Sequence, residues 1–136
     1  MIIKKLLIIL LIAISTFSYA QTGHYYPADR YSNSLISDLC QDKYGNIWIA
    51  TDYGLNKFDG YQFTSYLHDD TDSTSICSNA VVELLCDSKG RLWVGTNRGL
   101  DLYNDDLNAF IHYKFPADVR PRISDVVELS DGRILF

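Results

Sequence analysis

The 136-residue sequence lacks most of the features that announce catalysis or nucleic-acid binding. It has three cysteines, one methionine, three prolines and no run of basic residues. With 17 acidic against 12 basic side chains its net charge is −5, which argues against nucleic acid and anionic membrane surfaces as partners. No CxxC pair occurs, and no Cys/His spacing suggests a zinc finger. Gly-rich phosphate loops, nucleophile elbows and Ser/His/Asp arrangements are missing too. The residues thus offer no catalytic constellation, no metal site and no reason to expect a cofactor. Helical periodicity is absent, which excludes helical solenoids.

Long apolar runs are also scarce. The one that exists, residues 6–14, follows Lys4 and Lys5 and precedes Ser18-Tyr19-Ala20. A positive start, a short apolar stretch and a small-x-small end describe a cleaved secretory signal peptide over residues 1–20. Nine apolar residues fall well short of the roughly 20 that span a bilayer. No cysteine follows the cleavage point, so a lipid anchor is not expected there. The exported remainder carries a net charge of −7, since the leader removes two lysines and no acid.

What the chain does have is one stretch written twice. Residues 45–58 read GNIWIATDYGLNKF and residues 90–103 read GRLWVGTNRGLDLY. At a constant offset of 45, Asp42 falls on Asp87, Gly45 on Gly90, Trp48 on Trp93, Thr51 on Thr96, Gly54 on Gly99 and Leu55 on Leu100. Periods of roughly 20–50 residues mean solenoids, propellers or arrays. Within each copy, short runs dense in β-branched and aromatic residues alternate with Asp/Gly turns. In the first copy these are residues 35–41, 47–51, 55–58 and 61–66, with Asp59-Gly60 as the strongest hairpin signal. The second copy repeats the pattern at 81–86, 92–96, 100–103 and 109–113. Four short antiparallel strands per repeat describe a β-propeller blade, so the expected fold is all-β.

The expected organisation follows. Residues 1–20 are the leader, and 21–34 resemble the end of a repeat, as if completing the outer strand of a last blade. Residues 35–66 form blade 1, 67–78 an inter-blade loop and 79–113 blade 2. Residues 114–136 begin a third blade, in which Asp131-Gly132-Arg133-Ile134 answers Lys89-Gly90-Arg91-Leu92 and Leu135 replaces the tryptophan. That third copy stops within a strand, which reads as part of something longer.

The pattern Asp-x-x-Gly-x-(Ile/Leu)-Trp-(Ile/Val)-(Ala/Gly)-Thr-x-x-Gly-Leu-x-x-(Phe/Tyr) resembles the two-component regulator propeller repeat. Ala50 departs from the usual glycine, and the third copy lacks the tryptophan. The resemblance implies the N-terminal part of the periplasmic sensor region of a hybrid histidine kinase of Bacteroidetes type. By the same resemblance, the parent protein would bind an oligosaccharide or other small ligand. It would be anchored in the inner membrane, form a homodimer and control transcription by phosphorelay. This chain's own partners would be the remaining propeller blades, and its own sequence would carry no kinase. The alternative is a secreted β-propeller enzyme or binding protein acting on polysaccharide.

Physically, the twelve motif residues read as scaffold. Gly45, Gly54, Gly90 and Gly99 suit turns. Asp42 and Asp87 can accept from backbone N–H groups of their own turns. Trp48 and Trp93 are large enough to pack between blades. Three further expectations concern chemistry. Cys40 and Cys86 sit one position out of register between equivalent strands, so they point to opposite sheet faces, and this parity argues against their pairing. His24, His68 and His112 recur every 44 residues, which should spread them around a rim. Asp69, Asp70 and Asp72 read as a solvated acidic loop and not as a calcium site.

Overall fold

The computed structural model describes residues 35–116 and 119–136. The leader, residues 21–34 and His24 lie outside the described residues.

Two four-stranded antiparallel sheets dominate. The first runs β1 (Ile36–Gln41), β2 (Ile47–Thr51), β3 (Gly54–Phe58), β4 (Phe63–Tyr66) in that spatial order. The second repeats it with β5 (Val81–Cys86), β6 (Leu92–Thr96), β7 (Gly99–Asn104) and β8 (Ala109–His112). A two-stranded sheet of β9 (Val127–Glu128) and β10 (Ile134–Leu135) follows.

Register repeats with the sequence. Trp48 pairs with Cys40 and Trp93 with Leu85, and the third copy sets Leu135 opposite Val127. Even an irregularity is copied: the first strand of each sheet shifts register between Ile36 and Asp38, and between Val81 and Glu83. Each first hairpin closes through the same pair of backbone bonds. Gly45 N–H donates to Asp42 O, Gly90 N–H to Asp87 O and Gly132 N–H to Leu129 O, at 3.0, 2.8 and 2.8 Å. The glycines have φ of 89°, 74° and 81°, a left-handed conformation that any Cβ would disfavour.

The core lies between the sheets. Blade 1 contributes Trp48, Ala50, Leu55, Cys40 and Tyr66, while blade 2 contributes Val81, Leu84, Leu92, Val94, Tyr103 and Phe110. Trp48 and Leu92 come from opposite faces of equivalent strands. Blades succeed one another by rotation, so the front of one sheet meets the back of the next. The second face of blade 2 packs likewise: Leu85, Trp93 and Leu100 meet Ile123, Val126 and Ile134 of the third repeat.

This front-to-back stacking overturns the cysteine expectation. Cys40 and Cys86 are joined by a disulfide, with Cα atoms 6.1 Å apart. Opposite parity would separate two cysteines of one sheet. Between consecutive blades it makes them face each other.

Candidate functional site

The repeated motif builds two turns with the same hydrogen-bond pattern. Asp42 Oδ1 accepts the N–H groups of Tyr44 and Asn46, both at 2.9 Å. Its Oδ2 accepts Asn46 Nδ2 at 2.8 Å and the Trp48 indole Nε1 at 2.9 Å. Asp87 does the same with Lys89 and Arg91 N–H at 3.0 and 2.9 Å, Arg91 Nε at 2.6 Å and Trp93 Nε1 at 3.0 Å. The aspartate therefore ties the turn to the indole six residues on, a link that the fixed Asp-to-Trp spacing carries but that was not drawn from the sequence. Burial pushes both carboxyls up. The bonds from Asn46 and Trp48 to one, and from Arg91 and Trp93 to the other, outweigh it and hold both below the ordinary range.

Thr51 and Thr96 close the second hairpins. Their hydroxyls donate to Gly54 O and Gly99 O at 2.8 and 3.0 Å, and accept the N–H of Tyr53 and Arg98. Leu55 and Leu100 are buried on the inter-blade faces. Trp48 is fully buried against Tyr66 and Tyr103, at 5.6 and 4.7 Å between ring centroids. Trp93 stays partly exposed, with the Arg91 guanidinium over its ring.

Chemistry that departs from the repeat gathers elsewhere. A cleft of about 530 Å³ opens where the inter-blade loop meets the ends of β7 and β8, lined among others by His68, Asp69, Cys77, Arg98, Asp101 and His112. The histidine expectation is corrected here, since His68 and His112 line one cleft. The loop folds back on blade 2, carrying His68 with it. His68 Nδ1–H donates to Ile76 O at 2.7 Å, and its Nε2 lies 3.0 Å from Asp70 Oδ1. The exposed Asp69 and Asp72 accept from the hydroxyl and backbone N–H groups of Thr71 and Thr74, which hold both carboxyls below the ordinary range.

At the floor of the cleft, Asp101 is fully buried. It accepts Cys77 N–H at 2.8 Å on Oδ2 and His112 Nδ1–H at 2.6 Å on Oδ1. Cys77 is a free thiol whose Sγ lies 3.1 Å from Thr96 Oγ1. Burial, reinforced by the Asp101 charge, pushes the thiol up to about 12. It is therefore a poor nucleophile as it stands. Sequence reasoning missed this cluster because Cys77 comes from the loop and because aspartate and histidine meet across a strand pair. The available signal was the cross-strand position: Asn56 faces Ser65 in blade 1, and Asp101 faces His112 in blade 2.

Consecutive four-stranded sheets stacked front to back, with one turn-and-tryptophan unit repeated in each, define the blades of a β-propeller. The family model of the two component regulator propeller matches residues 30–53 and 75–98. A stretch of 52 residues is 48% identical to histidine kinase P4 of Formosa agariphila, covering 38% of this chain and 4% of that protein. The fold resembles the extracellular domain of a hybrid two-component system from B. thetaiotaomicron, with a TM-score of 0.66 and 31% identity. That match covers 80% of this chain and 16% of the other. The extracellular domain of a one-component system from the same organism gives a TM-score of 0.62 at 22% identity, over 85% of this chain and 17% of the other, a likeness of fold. The chain thus spans a small fraction of each of these relatives.

Proposed function

We propose that this chain is part of an exported, ligand-sensing propeller whose parent is a hybrid sensor histidine kinase. The carrying observation is the pair of two-component regulator repeats, folded as consecutive blades and similar to the extracellular domain of a hybrid system. In this reading residues 1–20 direct export, the blades stand in the periplasm and a membrane segment of the parent connects them to the kinase. The ligand is an oligosaccharide, and the output is phosphorelay to a transcriptional regulator. The blades contribute rigidity: a stapled, aromatic-filled interface holds the loops at one end of the sheets in fixed relation, where ligand contacts of a propeller are made.

The test is reconstitution of the full-length parent in vesicles, with oligosaccharides supplied to the propeller side and phosphohistidine followed on the other. A saturable change in phosphorylation is expected, and it should be lost when residues 35–136 are deleted. Phosphorylation indifferent to every glycan tried would overturn the carbohydrate reading, and a parent lacking a kinase would overturn the sensor reading.

A further inference from the structure

Blade 2 differs from blade 1 at a cross-strand pair whose first member is fully buried, and the difference has a chemical direction. The register positions held by Asn56 and Ser65 in blade 1 are held by Asp101 and His112 in blade 2. Asn56 and Ser65 make one neutral hydrogen bond of 2.7 Å, and Asn56 is fully buried. The blade architecture is therefore satisfied by a pair that binds no metal. Blade 2 carries two strong metal-ligating groups at the same place, and the loop brings the free thiol of Cys77 against them. One ligand atom from each of Cys77, Asp101 and His112 lies within 4.8 Å of the others, and all three residues line the cleft.

We propose that Cys77, Asp101 and His112 form a binding site for a thiophilic divalent cation of the zinc class, with a fourth position open to the cleft. Thiolate, imidazole and carboxylate together suit zinc, cobalt(II) or cadmium, and disfavour magnesium and calcium, which take all-oxygen shells. Ligands stand about 2.0–2.3 Å from zinc, so two atoms on one tetrahedral ion are roughly 3.4 Å apart. The Asp101 Oδ1 to His112 Nδ1 separation of 2.6 Å must widen, which the half-exposed imidazole can do by turning outward. The ion then takes the place of the Nδ1 proton, which leaves to solvent while Nε2 takes one up from solvent, so the bound imidazole is neutral with its one proton on Nε2. The Cys77 thiol releases its proton to solvent, since a coordinating sulfur is a thiolate. No redox step is involved. With Oδ2 of Asp101 still accepting Cys77 N–H, the carboxylate is oriented from behind, as ligating carboxylates commonly are.

The test is titration of the chain with cobalt(II) under conditions that keep the Cys40–Cys86 disulfide intact, so that Cys77 is the one thiol. A near-ultraviolet thiolate-to-cobalt band and intense visible ligand-field bands should saturate at one ion per chain, and zinc should bleach them. The double variant Asp101→Asn, His112→Ser installs the blade 1 pair in blade 2 and so should keep the fold. It should lose at least about tenfold in affinity, since even an outer partner of a metal ligand commonly costs 10- to 100-fold. Cys77→Ser should abolish the near-ultraviolet band. Absence of the band in the parent chain, or unchanged affinity in the folded double variant, would overturn the proposal and leave Asp101–His112 as a hydrogen-bonded pair alone. None of these outcomes depends on the sensor reading.

Discussion

The two interfaces on either side of blade 2 are built from the same parts and filled differently. Between blades 1 and 2, Trp48 is fully buried, four aromatic rings meet, and a disulfide crosses. Between blade 2 and the third repeat, Trp93 remains partly exposed in a cluster that is aliphatic apart from Phe115. The strand register of blade 1 is repeated in blade 2. What differs is how much apolar surface each copy of the motif removes from water, so equal motifs should carry unequal energies.

The largest expected effect tests that inequality. Trp48→Ala should cost about 3–5 kcal/mol, the usual range for deleting a large buried aromatic, and it also frees the Asp42 carboxylate from its indole partner. Trp93→Ala should cost clearly less, because its ring is already partly hydrated. Denaturant unfolding of both variants reads the difference, and equal losses would mean that the motif acts through its turn and not through burial. Next in size is the Cys40–Cys86 staple. Cys40→Ser, Cys86→Ser should lose about 2–4 kcal/mol, the typical worth of a disulfide, with no counterpart at the second interface. Reduction of the unmodified chain should produce the same fall in midpoint.

A smaller effect concerns how volume is shared across each interface. Ala50 and Val81 belong to the first core, and Gly95 and Ile123 hold the corresponding positions at the second. One carbon has moved from one side to the other. A Cβ built on Gly95 would lie 2.7 Å from Ile123 Cγ2 and 3.2 Å from its Cβ, so the Ile123 side chain or its backbone must shift. Gly95→Ala should therefore destabilise by about 1–3 kcal/mol, as overpacking does. Adding Ile123→Val recreates the blade 1 combination but keeps Cβ and Cγ2, so rescue requires the smaller side chain to turn about χ1 away from the added methyl. Failure of that rescue would show that the two interfaces differ in spacing and not only in filling.

These contrasts also mark what was legible in the chain. Strands, turns and register followed from period-2 runs, Asp/Gly turns and the 45-residue offset, because those are local properties of one sheet. Ala50 looked like a mild departure from its repeat, yet it is half of a volume exchange whose other half lies in the next blade. The Cys40–Cys86 pairing escapes a parity argument for a related reason: parity holds within one sheet, and this contact is between sheets. The Asp101–His112 pair was hidden because eleven residues and a strand crossing separate its members, and Cys77 reaches it from a loop that reads as polar filler. Contacts made by rotation from blade to blade are not periodic within a blade, so a reading along one strand does not display them.

The last comparison is between the turns. Asp42 is held by the Asn46 amide and Asp87 by the Arg91 guanidinium, with the rest of each network shared. Both carboxyls are depressed in the folded chain. Their contribution to stability is therefore present above the ordinary carboxylate pKa and is lost as pH falls through the depressed folded values. Acid titration of unfolding free energy should show this fall, and Asp42→Asn should flatten part of it. Arg91→Asn puts the blade 1 partner into the blade 2 turn and should cost less than about 1 kcal/mol, because Arg91 is over a third exposed and such pairs are weakly stabilising. Asp87→Ala should cost about 1–3 kcal/mol, because it leaves the Trp93 indole and two turn N–H groups without their acceptor. If Arg91→Asn proved as damaging as Asp87→Ala, the ion pair would be what holds the second turn. The equivalence of the two turns would then be one of shape and not of energetics.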